Sequence, residues 1–107
     1  YDTIAPCGPW SVTPDEIGYP RALAIRQKLG SVVMQESSTA EMIFAPAAIV
    51  SFVSAAMTLV PGDIIATGTP EGVGVYRNPP LFMKNGDVVT VEIEGIGYLR
   101  NRVKTLG

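Results

Sequence analysis

Val60-Pro61-Gly62-Asp63-Ile64-Ile65-Ala66-Thr67-Gly68-Thr69-Pro70-Glu71-Gly72-Val73-Gly74 occupies the middle of the chain and changes character twice along its length. Pro at the second position and Gly at the third make Val60 to Asp63 a type II turn. Ile64 to Thr67 then reads as a short buried strand. From Ala66 to Gly74, three glycines and two threonines share one loop. Glycine lets a backbone approach a ligand, while backbone N–H groups and threonine hydroxyls can hold a carboxylate or enolate oxygen. The same glycines would equally serve a loop that needs them for its own geometry, and that alternative stays open. The pattern argues against a phosphate loop, because no Gly-Lys followed by Ser or Thr is present and the spacing does not extend to GxGxxG.

On the N-terminal side, Pro46 fits a first helical position, and Ile49, Val50, Phe52, Val53 and Met57 follow at near-helical spacing. A buried helix over Ala47 to Met57 is expected, stopping before the Pro61-Gly62 turn. Met42 to Val60 carries no charge and is long enough on paper to cross a bilayer. Its Pro46, its hydroxyl residues Ser51, Ser54 and Thr58, and its alanines favour a core helix instead. Further back, Arg21 to Ser37 alternates about Gly30-Ser31 and predicts a β-hairpin. Tyr1 to Pro20 holds Pro6, Gly8, Pro9, Pro14, Gly18 and Pro20, a density of breakers that predicts irregular structure without a helix.

On the C-terminal side, Lys84-Asn85-Gly86-Asp87 is a turn signal. Val89, Val91 and Ile93 then alternate with Thr90, Glu92 and Glu94, and Gly95-Ile96-Gly97 leads into Tyr98 to Val103 as a second hairpin. The expected fold class is mixed, β-rich α+β with one buried helix.

The 107 residues are 47% apolar and 17% charged, enough for one hydrophobic core and too apolar for a disordered segment. A domain of this size buries roughly two-thirds of its unfolded surface. A mean hydropathy of +0.26 leaves some apolar surface to face a partner. Net charge is -2 with eight scattered Lys and Arg, so the footprint of a nucleic-acid binder is missing. Cys7 stands alone, without an internal disulfide, a zinc cluster or an imidazole to activate it. That points to a reducing, cytoplasmic setting. The absence of histidine removes every triad built on one. Tyr1 is neither an initiator Met nor the start of a signal peptide, so an upstream segment is expected.

Glu92-Ile93-Glu94 places two carboxylates at alternate strand positions, a spacing that could share a divalent cation. A polar strand face opposite Val91 and Ile93 normally meets water, and the metal is not placed there.

The order and wording of these segments resemble the fumarylacetoacetate hydrolase superfamily over nearly the whole chain. Four stretches carry the resemblance: Tyr1-Asp2-Thr3 leading to Pro6-Cys7-Gly8-Pro9-Trp10; Gln35 to Phe44, ending Glu41-Met42-Ile43-Phe44; Pro61 to Gly74; and Gly86-Asp87-Val88-Val89 through Glu92-Ile93-Glu94-Gly95-Ile96-Gly97. The wording is similar to bacterial 2-hydroxyhepta-2,4-diene-1,7-dioate isomerases and decarboxylases, and acylpyruvate hydrolases and oxaloacetate decarboxylases share the motifs.

The resemblance implies a partial β-roll, with residues 1–107 as the C-terminal part of one catalytic domain. It implies a Mg2+ or Mn2+ ion held by a Glu-x-Glu and an Asp in the preceding half, outside this chain, and an active-site Lys just ahead of Tyr1. Glu92-Ile93-Glu94 is not that motif. No catalytic residue and no metal ligand therefore falls in this chain; the resemblance carries over only Thr69, whose family counterpart contacts substrate, with Gly68 shaping the same wall. The implied partners are a small dicarboxylic acid, the upstream half of the domain and a second copy in a homodimer, with neither nucleic acid nor membrane. Ser38, Ala40 and Glu41 depart from the commoner Asn, Ser and Asp of the family, which bears on substrate preference. The competing expectation is a non-catalytic scaffold half of a duplicated family member.

Overall fold

The computed structural model describes residues 2–18 and 22–105. Tyr1 and Pro20, which bound the expected irregular stretch, and Arg21, which opens the expected first hairpin, lie outside the described residues.

Both hairpins form. The first consists of β1 (Ala24–Leu29) and β2 (Val32–Ser38), the second of β3 (Val88–Ile93) and β4 (Gly97–Arg102), and together they make one antiparallel sheet in the order β2-β1-β3-β4. Pairing of Ile25 with Ile93 and Leu29 with Val89 joins the hairpins at the centre. Because side chains alternate across a strand, this register sorts the residues onto two faces. Ile25, Leu29, Val89, Val91, Ile93 and Leu99 share one face with the amides of Gln27 and Gln35, while Arg26, Lys28, Glu36, Glu92 and Arg100 share the other.

Between Gln27 and Lys28 the β1–β2 register shifts: Gln27 pairs with Gln35 but Lys28 pairs with Val33, leaving Met34 as an extra residue on the edge strand. Such a bulge bends its strand and re-aims the groups around it.

Two turns use one device. The Asp63 N–H donates to the Val60 carbonyl at 3.1 Å, and the Asp63 carboxylate accepts from the Val60 N–H at 2.8 Å. Asp87 does the same with Lys84, at 3.1 and 2.7 Å. In both, an Asp after Gly closes the loop with its side chain as well as its backbone, the local bonding that makes Asp a turn residue.

The N-terminal expectation needs correction. Pro14–Ile17 forms a single helical turn, α1, between Thr13 and Gly18, the latter left-handed at φ +70°. The breakers bracket the turn instead of forbidding it: Pro14 at the start needs no N–H partner, and Gly18 supplies the terminating conformation. Trp10 ties this segment to the second hairpin, its indole Nε1 donating to the Ile96 carbonyl at 2.9 Å. A Cβ on Gly97 would lie 2.9 Å from the same ring, so the glycine admits the indole.

The helix expected after Pro46 is α2 (Pro46–Ala56), with Pro46 at its first position. It is not buried within this chain: none of its residues is, and Phe52 is 80% exposed. The expected strand at Ile64 to Thr67 is also absent. That segment is irregular and unpaired, and Ile64 is 79% exposed. Strand propensity there meets no neighbouring edge among the described residues, and a strand exists only as one side of a ladder.

The expectation of one well-buried core fails for the same reason. Among the described residues only Leu23 and Thr90 are buried, and the chain exposes 8735 Å². A self-contained domain of 11.4 kDa would expose about 5,800 Å². Its radius of gyration, 15.6 Å, likewise exceeds the about 13 Å expected of a compact domain of this length. The sheet has an apolar face and α2 an apolar surface, but no described element lies across both as a second layer. No helix among the described residues is long and apolar enough to cross a membrane.

Candidate substrate-binding site

From Asp63 the chain runs without regular structure to Pro70, and it is held at its end by the edge of the sheet. The Gln35 side chain on β2 donates from Nε2 to Thr69 Oγ1 at 2.8 Å and to the Pro70 carbonyl at 2.7 Å. Gly68 and Thr69, singled out in the sequence, thus stand side by side on an exposed stretch pinned by one amide. Thr69 Oγ1 accepts from Gln35 and no described residue accepts its proton, leaving the hydroxyl a donor toward solvent or a ligand. The backbone N–H groups of Gly68 and Thr69 also take no acceptor among the described residues. The segment therefore presents donors, which suits an oxygen anion.

The glycines of this loop serve different needs. At Gly68 the backbone has φ +98° and an added Cβ would meet nothing within 4 Å, so dihedral freedom alone is used there. At Gly72 the backbone has the same φ, and a Cβ would run into the Met34 carbonyl. At Gly74 a Cβ would run into the Leu81 carbonyl. The tight-loop alternative thus holds for Gly72 and Gly74, whose approach is to the chain's own backbone. Gly68 is the one with open space around it.

Arg77 completes the anchorage. Its Nε donates to the Gly72 carbonyl at 2.9 Å and its Nη2 to the Met34 carbonyl, the residue left over by the bulge. Neither Arg77 nor the bond from Gln35 to Thr69 was visible in the spacing of motifs. The available signal was a long amide in the middle of an edge strand, where a residue for packing is usual. Beneath the loop, an open hollow of about 380 Å³ lies between Gly72 to Met83 and the sheet, bounded by Gln27, Leu29, Gln35 and Val89. Gly68 and Thr69 do not line it.

The carboxylates of Glu92-Ile93-Glu94 are committed to the sheet. Lys28 Nζ donates to Glu92 Oε1 at 2.7 Å, Arg26 Nη1 stands 3.9 Å from Glu92 Oε2, and Arg26 Nε donates to Glu36 at 2.8 Å. Glu94 accepts from the Ala24 N–H at 3.2 Å, continuing the β1–β3 pairing past the strand end. No group of three acidic, Cys or His side chains among the described residues is placed to hold a metal. Hard divalent cations need about six oxygens, more than the described side chains bring together at any one place.

The ammonium of Lys28 bonded to Glu92 holds that carboxyl below the usual range, against the opposing effect of desolvation and with help from the charges of Lys28, Arg26 and Arg100. A carboxyl depressed on folding stabilises the folded state above its unfolded value, and that contribution is lost as pH falls through the folded value. Glu92→Gln should therefore make acid unfolding less steep below about pH 5. Superimposable pH–stability curves for variant and parent would refute the coupling.

Residues 1–104 match the fumarylacetoacetate (FAA) hydrolase C-terminal family. This chain belongs to that family. A mitochondrial oxaloacetate tautomerase of Bos taurus is 48% identical over 103 residues, which is 96% of this chain and 33% of the relative. Among solved structures, 2-hydroxyhepta-2,4-diene-1,7-dioate isomerase of Mycobacterium marinum superposes with a TM-score of 0.77 at 44% identity, covering 94% of this chain and 36% of that one. Maleylpyruvate hydrolase of Sphingobium sp. SYK-6, in complex with manganese(II) ion and pyruvate, superposes with a TM-score of 0.85 at 36% identity over 97% and 37% of the two chains. The resemblance read from the four sequence stretches is thereby established. The chain spans about a third of the length of these FAA hydrolase relatives, and the fold they share with it is the small antiparallel sheet with few helices.

Proposed function

We propose that this chain is the C-terminal part of the catalytic domain of a metal-dependent enzyme acting on a small 2-oxo, 2-hydroxy-dienoate or acylpyruvate-type acid, with Gly68 and Thr69 forming one wall of the substrate site. The observation that carries this reading is the Thr69 hydroxyl: exposed, its acceptor side held by Gln35, its proton free to point outward. Isomerisation, decarboxylation and C–C hydrolysis of such acids all develop charge on an oxygen next to a carboxylate. A fixed hydroxyl donor lowers that charge's energy more than it lowers the neutral ground state. A Mg2+ or Mn2+ ion would be held by residues outside this chain and would supply positive charge to the substrate's oxygens; nothing done by residues 2–105 passes through it.

The excess surface supports the same arrangement. Ile43, Phe52 and Ile64 are 91%, 80% and 79% exposed, and large apolar side chains left this open suit a surface that is covered in use. The preceding part of the same domain is the cover we assign to it.

The test is an assay of the complete protein with oxaloacetate and an acylpyruvate, in Mn2+, in Mg2+ and in chelator. Turnover that chelation abolishes is expected. Turnover indifferent to chelation would remove the metal from the reading, and inactivity on every small 2-oxo acid tried would leave a scaffold role.

A further inference from the structure

We infer that Gln35 is a positioning residue that fixes the direction of the Thr69 hydroxyl, so that this proton is always offered to the ligand. The inference rests on the substrate-wall reading of Thr69 and adds the group that makes it work. One end of the Gln35 amide faces both Thr69 Oγ1, at 2.8 Å, and the Pro70 carbonyl, at 2.7 Å. A carbonyl oxygen can only accept, so the amide nitrogen must be the end that faces it. The nitrogen's two N–H groups are then both used, and Thr69 Oγ1 can only accept from the second. With one lone pair engaged by the amide, the hydroxyl has its single proton left for a group outside the described residues.

The backbone around Gln35 is built to hold this geometry. Gln35 is the first paired residue of β2 after the bulge, and Met34 just before it is the bulged residue whose carbonyl accepts from Arg77. Arg77 in turn holds the Gly72 carbonyl at 2.9 Å. The strand edge therefore grips the loop on both sides of Glu71, at Thr69-Pro70 through Gln35 and at Gly72 through Arg77. A bulge that aims an edge residue in this way is a feature of functional sheet edges.

Gln35→Glu nearly preserves size but reverses the chemistry. The carboxylate would set an acceptor against the Pro70 carbonyl and would draw the Thr69 proton inward, away from the ligand. The measurement is calorimetric titration of pyruvate into the complete protein with Mn2+ present, with thermal unfolding recorded on the same samples. Gln35→Glu should weaken pyruvate by about tenfold or more, and Gln35→Met, which only releases the hydroxyl, by about threefold. In a Thr69→Val background neither should weaken it by more than about twofold, because the proton they redirect is gone.

Equal weakening by Gln35→Glu in both backgrounds would mean simple charge repulsion and would overturn the inference. So would unchanged pyruvate affinity in Gln35→Glu when Thr69→Val weakens it. Should Gln35→Glu fail to fold, Gln35→Met carries the same comparison across the two backgrounds. Pyruvate affinity untouched by Thr69→Val, or no pyruvate binding by the parent protein, would instead overturn the Thr69 reading itself.

Discussion

Thr69→Val in the complete protein is expected to lower kcat/KM roughly ten- to hundredfold, while folding is largely retained. The substitution keeps the side-chain volume and removes one hydroxyl whose proton no described residue accepts. A hydrogen bond to a charged oxygen is worth about 1.5 to 3 kcal/mol, which sets that range of rates. Thr69 also gives up the bond from Gln35, a neutral contact at an exposed site, worth about 1 kcal/mol or less of stability. If Thr69 only rests the loop on the sheet edge, the pattern reverses: the melting temperature falls and the kinetics per folded molecule stay put. Steady-state rates and thermal unfolding on one preparation separate the two.

Gly72→Ala should damage the loop severely, costing about 3 kcal/mol or more. Two penalties coincide there, a backbone at φ +98° and a Cβ directed into the Met34 carbonyl, with Arg77 Nη2 at 3.2 Å and Gln35 Cγ at 3.3 Å. Left-handed strain and overpacking each cost about 1 to 3 kcal/mol. Relief can come only by lifting the loop from the edge, which breaks the grip of Arg77 and Gln35 together. Gly68→Ala is the control, with the same φ and open space, and should cost about 1 to 2 kcal/mol. Denaturant unfolding of both variants decides the matter; equal losses at the two positions would show that the approach to Met34 is not tight.

Local signals in the sequence were enough wherever the cause was local. Gly30-Ser31 and Gly95-Ile96-Gly97 mark their hairpins, Pro46 marks the start of α2, and Pro61-Gly62-Asp63 marks its turn, because turn chemistry and periodicity act over a few residues. The expected burial of α2 and the expected strand at Ile64 to Thr67 are missing, since each needs a partner surface that no described residue supplies. Pro14 and Gly18 count as breakers in the sequence, whereas at the two ends of one turn they act as its start and stop. The site was half visible: Gly68 and Thr69 stood out by composition, but Gln35 and Arg77 reach them only because a bulge at Met34 turns the edge strand. No pattern along the chain announces a one-residue shift in register.

That bulge also bears on how the sheet can associate. β2 and β4 are the two outer strands, and an outer strand is ordinarily an open row of donors and acceptors on which a foreign strand can grow. On β2 the row is broken at Met34, whose carbonyl is already taken by Arg77 and covered by the backbone of Gly72. The device that aims Gln35 at Thr69 thus also interrupts the rim of the sheet as a template for aggregation beside the ligand wall, leaving β4, with Arg100 and Arg102, as the side where like-charged arginines must do that protecting.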